Sequence, residues 1–165
     1  MSRIDKKKNL RPSILDRLFD NDPGNKVEPE KNKHQQLKDL RLSVRRDLEN
    51  ILNTRYRILE PASNFSELEY SLLNYGLPDL ATVNIHDFNK KKEFTRQLEK
   101  MLKNFEPRFK TVSVSFTDNK DKTDRTLRFR INATLYADPA PEVVIFDSIL
   151  EPASRTVNVE ESQHG

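Results

Sequence analysis

The spacing of hydrophobic positions changes once along the chain, from helical steps of three and four before Pro107 to strict alternation after it. Leu37, Leu40, Val44, Leu48 and Ile51 predict a helix over 34–54, with Arg41, Arg45 and Glu49 on its opposite face. A second helix is expected over 66–73. Tyr75-Gly76-Leu77-Pro78 stops it, and Gly76 suits a left-handed cap. Asp87 can cap a third helix, in which Phe94, Leu98, Met101 or Leu102, and Phe105 form the apolar stripe and which Pro107 ends.

Beyond the proline, Val112, Val114 and Phe116 alternate with Thr111, Ser113 and Ser115. A polar loop over 117–124 then leads to Leu127, Phe129, Ile131, Ala133 and Leu135, alternating with Arg128, Arg130, Asn132 and Thr134. A third strand is expected over 142–149 and a short fourth over 155–159. Helices first and strands second predict an α+β fold, with N-terminal helices packed on one face of a small, largely antiparallel or mixed sheet of about four strands.

The pattern divides the chain into an α+β domain over 34–160, a flexible basic segment over 1–33, and a disordered tail over 161–165. Within the basic segment a short amphipathic helix is expected over 12–20, with Ile14, Leu15, Leu18 and Phe19 on one face. Pro23, Gly24 and Pro29 mark 21–33 as a linker. Such a tethered helix can dock on its own domain or on another protein.

Composition sharpens this division. Nine Phe and four Tyr, mostly between Tyr56 and Phe146, supply the core of that domain. Hydrophobic residues are 35% and charged residues 33% of the 165, against averages of roughly 45–50% and about 25%, so part of the chain is solvated. Cysteine is absent, which excludes a disulfide framework and a thiolate metal site and suits a reducing, cytoplasmic compartment. The basic start carries no apolar run, so neither a signal peptide nor direct membrane insertion is expected. Net charge is only +3, but it is uneven: residues 1–60 are basic, while 137–165 hold six acids against Arg155. That asymmetry can orient partners or promote head-to-tail association.

The residue inventory leaves little room for catalysis. Phosphate-cradling loops need glycine, and none of the three glycines stands in such a motif. His34, His86 and His164 have no partner at metal-ligand spacing, and no nucleophile elbow is present. No catalytic, cofactor-binding or metal-ligating residue is therefore assigned. Asp47, Glu49, Glu67, Glu69 and Glu99 read as solvated helix faces. Glu106 differs, standing between Phe105 and Pro107 with Arg108 two residues on. A guanidinium beside a carboxylate favours its charged form, the opposite of what a general acid needs. With proline fixing the backbone between them, Glu106, Pro107 and Arg108 suit a rigid ionic anchor for a partner. Truncating either charge is then expected to leave the domain folded. The basic runs Lys6-Lys7-Lys8 and Lys90-Lys91-Lys92, with Arg128 and Arg130, lack interleaved aromatic residues, so solvated faces are preferred to nucleic-acid binding.

Three stretches in order resemble one family: Ser43-Val44-Arg45-Arg46-Asp47-Leu48-Glu49-Asn50-Ile51-Leu52-Asn53-Thr54-Arg55, Leu73-Asn74-Tyr75-Gly76-Leu77-Pro78-Asp79-Leu80, and Phe105-Glu106-Pro107-Arg108. They are similar to the TssE family of type VI secretion baseplate subunits, related to the lysozyme-like wedge protein of contractile phage baseplates. Pro12-Ser13-Ile14-Leu15-Asp16-Arg17-Leu18 resembles the start of such proteins. The resemblance implies a structural component of a cytoplasmic, inner-membrane-docked baseplate, beside TssF, TssG and TssK. It implies that Glu106, Pro107 and Arg108 contact the wedge core. It also implies strand exchange with the sheath subunits TssB and TssC, for which Val143, Val144, Ile145 and Phe146 and then Thr156, Val157 and Val159 are the candidates, because a terminal strand leaves edge groups free. A peptidoglycan-cleaving, lysozyme-like hydrolase is the alternative, and a basic nucleic-acid-binding module a second.

Overall fold

The computed structural model describes residues 13–18, 23–24, 31–55, 57, 66–77, 88–117, 126–137, 140–151, 154 and 156–162. Lys6-Lys7-Lys8, Pro12, Phe19, His86, Asp87, Arg155, most of the expected linker and the end of the expected tail lie outside the described residues. Helix α1 spans Ile14–Leu18, α2 Lys33–Asn53 and α3 Phe88–Phe105. Strands β1 (Phe109–Thr117), β2 (Leu127–Leu135), β3 (Glu142–Glu151) and β4 (Thr156–Glu161) follow. They form one sheet in the order β1-β2-β3-β4, antiparallel throughout. The expected α+β fold is realised, with its helices on the N-terminal side.

Helix α2 starts where a capping box allows it. Asn32 Oδ1 accepts from the Gln35 backbone N–H at 2.9 Å, and Gln35 Oε1 accepts from the Asn32 N–H at 3.1 Å. Two otherwise orphaned donors are satisfied reciprocally. The end of the expected linker is therefore the helix cap. The helix expected over 66–73 is instead two 3₁₀ segments, Ser66–Tyr70 and Leu72–Asn74. Ser71 separates them, its hydroxyl accepting from Leu73 N–H and donating to the Leu68 carbonyl at 2.8 Å. Local serine bonds compete with helix propagation, and about eight residues are too few to offset nucleation.

Gly76 then turns the chain with φ of +112°, bringing Leu77 N–H to within 2.8 Å of the Thr54 carbonyl. A Cβ at this position would lie 2.5 Å from that same oxygen, so backbone angle and space both require glycine. Helix α2 and the segment that follows it are thereby joined through Arg55 and Leu77.

Alternation decides which face of the sheet is covered. Leu127, Phe129, Ile131, Ala133 and Leu135 of β2 are buried, as are Val144, Phe146, Ser148 and Leu150 of β3 and Val157 and Val159 of β4. Leu40, Val44, Leu48, Ile51 and Leu52 of α2 and Phe94, Leu98, Met101 and Leu102 of α3 complete this core. Helix α2 packs against β4 and α3 against β1. Fully burying Leu48 contributes about 1.5–3 kcal/mol. The other face is mostly polar, with Val143, Ile145 and Ile149 of β3 its apolar members, and there Arg130 Nε donates to Asp147 Oδ1 across the β2–β3 pair at 2.7 Å.

Candidate protein-interaction site

Two polar systems, both anchored on α2, organise the residues singled out above. The first sits where α3 passes into β1. Glu106 N–H makes the last helical bond, to the Leu102 carbonyl at 2.9 Å, and Phe109 N–H closes the turn onto the Glu106 carbonyl at 3.2 Å. Pro107, with no N–H to satisfy, occupies the exposed bend between them. This places the Glu106 side chain inward, 2% exposed, and Arg108 beside it.

A charged group so buried must be paired. Glu106 Oε1 accepts from Arg108 Nε at 2.6 Å and from its backbone N–H at 3.2 Å, while Oε2 accepts from Nη2. The rest of the guanidinium reaches α2: Nη1 donates to Ser43 Oγ at 2.9 Å and Nη2 to Asp47 Oδ2 at 2.6 Å. Ser43 and Asp47 are four apart and so share a helix face. Burial disfavours the Arg108 charge, but hydrogen bonds and attraction from Glu106 and then Asp47 outweigh it and hold the guanidinium above its usual value. Burial, with Asp47 and Glu106 adding repulsion, pushes the neighbouring Tyr75 hydroxyl up. The Tyr75 ring meets Phe105 edge-on at 5.3 Å, closing an apolar wall beside the charges.

The network continues into the N-terminal segment. Ser43 Oγ donates to Asp16 Oδ2 at 2.6 Å, and Arg46 Nη2 pairs with Asp16 Oδ1. Asp16 also accepts from the Ser13 hydroxyl at 2.7 Å, while its own N–H donates to Ser13 Oγ at 3.1 Å, a reciprocal cap for α1. Burial opposes the Asp16 charge; bonds from Ser43, Ser13 and Arg46, together with the Arg46 charge, overcome it and hold the carboxyl well below the usual carboxylate range. Helix α1 thus docks on its own domain through its polar side. Ile14, Leu15 and Leu18 are left 72%, 53% and 75% exposed.

The second system lies along β4. Arg41 pairs with both Glu142 and Glu161, Arg45 Nη1 donates to the Val159 carbonyl at 3.3 Å, and Asn53 both donates to and accepts from the Val157 backbone. The charge asymmetry expected to orient partners is therefore partly consumed within the fold. Likewise Asp47 and Glu99, expected on solvated faces, hold Arg108 and the Val114 N–H, the latter at 2.8 Å.

Glu106, Pro107 and Arg108 stand together at the junction of α3 and β1, the sheet's other outer strand from β4. Glu106 and Arg108 have intramolecular partners, so the expectation that truncating either leaves the domain folded is replaced by one of lost stability. Of the strand candidates, Val144 and Phe146 are core residues, Ile145 is half-buried and Val143 is 64% exposed. Strand β3 lies between β2 and β4, so only β4 of these candidates is an edge strand, with Thr156 exposed, Val157 and Val159 buried, and backbone groups of Val157 and Val159 already bonded by Asn53 and Arg45. Sequence reading missed Asp16, Ser43, Asp47 and Asn53. The Ser13-x-x-Asp16 capping spacing and the four-residue step from Ser43 to Asp47 were the available signals. Among the described residues no group of acids and histidines could hold a metal ion, and no helix is long and apolar enough to cross a membrane.

A family model described as baseplate wedge protein gp25 matches residues 38–140. A solved structure titled "The baseplate complex from the type VI secretion system" contains a chain 19% identical, aligned over 71% of this chain and 98% of that one with a TM-score of 0.49. No curated protein matches. The matched span contains the whole Ser43–Asp47–Glu106–Arg108 cluster and more than half of the sequence, and on that ground the chain belongs to the baseplate wedge protein gp25 family, whose members are structural components of baseplates.

Proposed function

We propose that the chain is the gp25-type subunit of a type VI secretion baseplate, linking a wedge of TssF and TssG, with TssK in the same complex, to the TssB and TssC sheath in the cytoplasm. The observation that carries this reading is the junction at Glu106, Pro107 and Arg108. Its charges are locked by α2, so the surface it presents, Pro107 and the rim of the Arg108 guanidinium, has a fixed shape before a partner arrives. Pre-organisation of this kind reduces the ordering cost of association. The ordered resemblance to TssE-type sequences and membership of the wedge family support the choice of machine.

The C-terminal strands are the second surface in this reading, with Thr156, Val157 and Val159 at the sheet edge and Val143 exposed on β3 past the end of its pairing with β4. Sheath subunits would add extended segments there. A non-enzymatic role is supported by the bidentate hold of Arg108 on Glu106, which occupies both oxygens of the carboxylate a hydrolase would need free. Pairing of Arg130 with Asp147 likewise engages a cation that a nucleic-acid surface would present. Co-expression of the full chain with TssF and TssG tests the proposal: a stoichiometric complex surviving size exclusion is expected, and separate elution of the chain would overturn it.

A further inference from the structure

Side chains from α1, α2 and the α3–β1 junction close a ring through Arg108. Asp16 of α1 accepts from the Ser43 hydroxyl at 2.6 Å, and Ser43 Oγ in turn accepts from Arg108 Nη1 at 2.9 Å. Arg108 Nη2 donates to Asp47 Oδ2 at 2.6 Å. Asp47 Oδ1 lies 3.8 Å from Arg46 Nε, and Arg46 Nη2 returns to Asp16. The guanidinium thus has two anchors on α2, Ser43 and Asp47, and Asp16 governs both. The Ser43 hydroxyl has one proton, which it gives to Asp16, so its lone pairs are left for Arg108. Arg46, drawn to Asp16, stands off from Asp47, so that carboxylate is left for Arg108 as well.

We propose that Asp16 is a positioning residue for the junction: docked α1, acting through Ser43 and Arg46, sets the orientation of the Arg108 guanidinium whose rim meets the partner. Removing α1 changes both anchors. The Ser43 hydroxyl then gives its proton to water or to the carbonyl four residues back, and neither acceptor aims its lone pairs at Arg108. Arg46 loses Asp16 and closes on Asp47, where it competes for the oxygens that Arg108 uses. Glu106 still holds Nε and Nη2, so the guanidinium stays at the junction but turns more readily about its Nε–Cζ bond. Helix α1 is built to come away without opening the core. It has five residues, its Ile14, Leu15 and Leu18 are exposed, and among the described residues its bonds to the domain run through Asp16. The consequence for partner capture rests on the reading of the junction as wedge-facing, whereas the coupling itself is measured on the isolated chain.

Wild type, Asp16→Ala, and Asp16→Ala combined with Arg46→Gln are compared as full chains by NMR. Exchange between the two Nη groups of Arg108 reports rotation of the guanidinium, while amide exchange over α1 and β2 reports docking and fold. Asp16→Ala is expected to speed the rotation at least tenfold, with α1 amides exposed and β2 amides protected as in the wild type. Arg46→Gln removes the cation that moves onto Asp47, and in the double variant is expected to slow the rotation again at least threefold. Unchanged rotation in Asp16→Ala would overturn the proposal, since α1 would then be a passenger on the domain. So would rotation that Arg46→Gln does not slow, or loss of β2 protection in Asp16→Ala, because the mobility would then come from general loosening. Each result is obtained without TssF or TssG, and a failed co-purification leaves it standing, so the two readings fail separately.

Discussion

Arg108 Nε lies 2.6 Å from Oε1 of Glu106, its neighbour but one, closing a ring across Pro107 that faces into the domain. Two charges that read in sequence as a free pair are thereby committed to holding the end of α3 against α2. Removing Glu106 leaves a part-buried guanidinium short of its main partner. Glu106→Ala is expected to cost about 3 kcal/mol, toward the low end for a broken buried pair because Arg108 retains Asp47 and some solvent. Arg108→Lys keeps the charge but not the fork, and is expected to cost about half as much. Urea denaturation of the three proteins measures both.

Asp16 makes the docking of α1 depend on pH. Its carboxyl is held low in the folded chain, so its contribution is complete above the unfolded value of about 3.9 and is lost as pH falls below it. With Arg46 about two-fifths exposed, a contribution on the order of 1 kcal/mol is expected. Amide exchange across α1 should be faster in Asp16→Asn than in the wild type at pH 7. That difference should shrink steadily below about pH 4.

Gly76→Ala is expected to destabilise by about 1–3 kcal/mol, from a strained positive φ and a collision with Thr54. A thermal midpoint lowered by several degrees would show it. A midpoint unchanged or raised would mean that the turn relaxes freely.

Ser148 is buried to 1% exposure, and among the described residues its hydroxyl has no hydrogen-bond partner. It faces the core between Phe146 and Leu150, paired with Phe129 on one side and Val159 on the other. Ser148→Ala removes a desolvated hydroxyl and is expected to raise stability by about 1 kcal/mol in the same denaturation experiment.

Much of the fold was legible because periodicity reports burial directly. Leu37 to Ile51 marked α2 to within a residue at each end, and Leu127 to Leu135 marked all of β2. Periodicity does not report what covers a polar face. Arg41 and Asp47 look solvated along their own helix, yet one meets Glu142 and Glu161 and the other meets Arg108, 61 residues on. The triplet at 106–108 was visible as unusual, but its geometry needed Ser43, 65 residues before Arg108. The Asn53 contact with Val157 spans 104 positions and has no local signature. The docking of α1 through Asp16 was unreadable for a further reason: its apolar residues suggested the opposite face.

The most direct test of the baseplate account uses Pro107, which is exposed and makes none of the ion pairs that hold the junction. Pro107→Glu changes the presented surface while leaving Glu106, Arg108, Ser43 and Asp47 in place. Co-purification with TssF and TssG is the measurement, alongside a denaturation curve for the isolated chain. The account predicts a complex for the wild type and at least tenfold weaker capture of Pro107→Glu at near-wild-type stability. Equal capture of both proteins, or of neither, would contradict it.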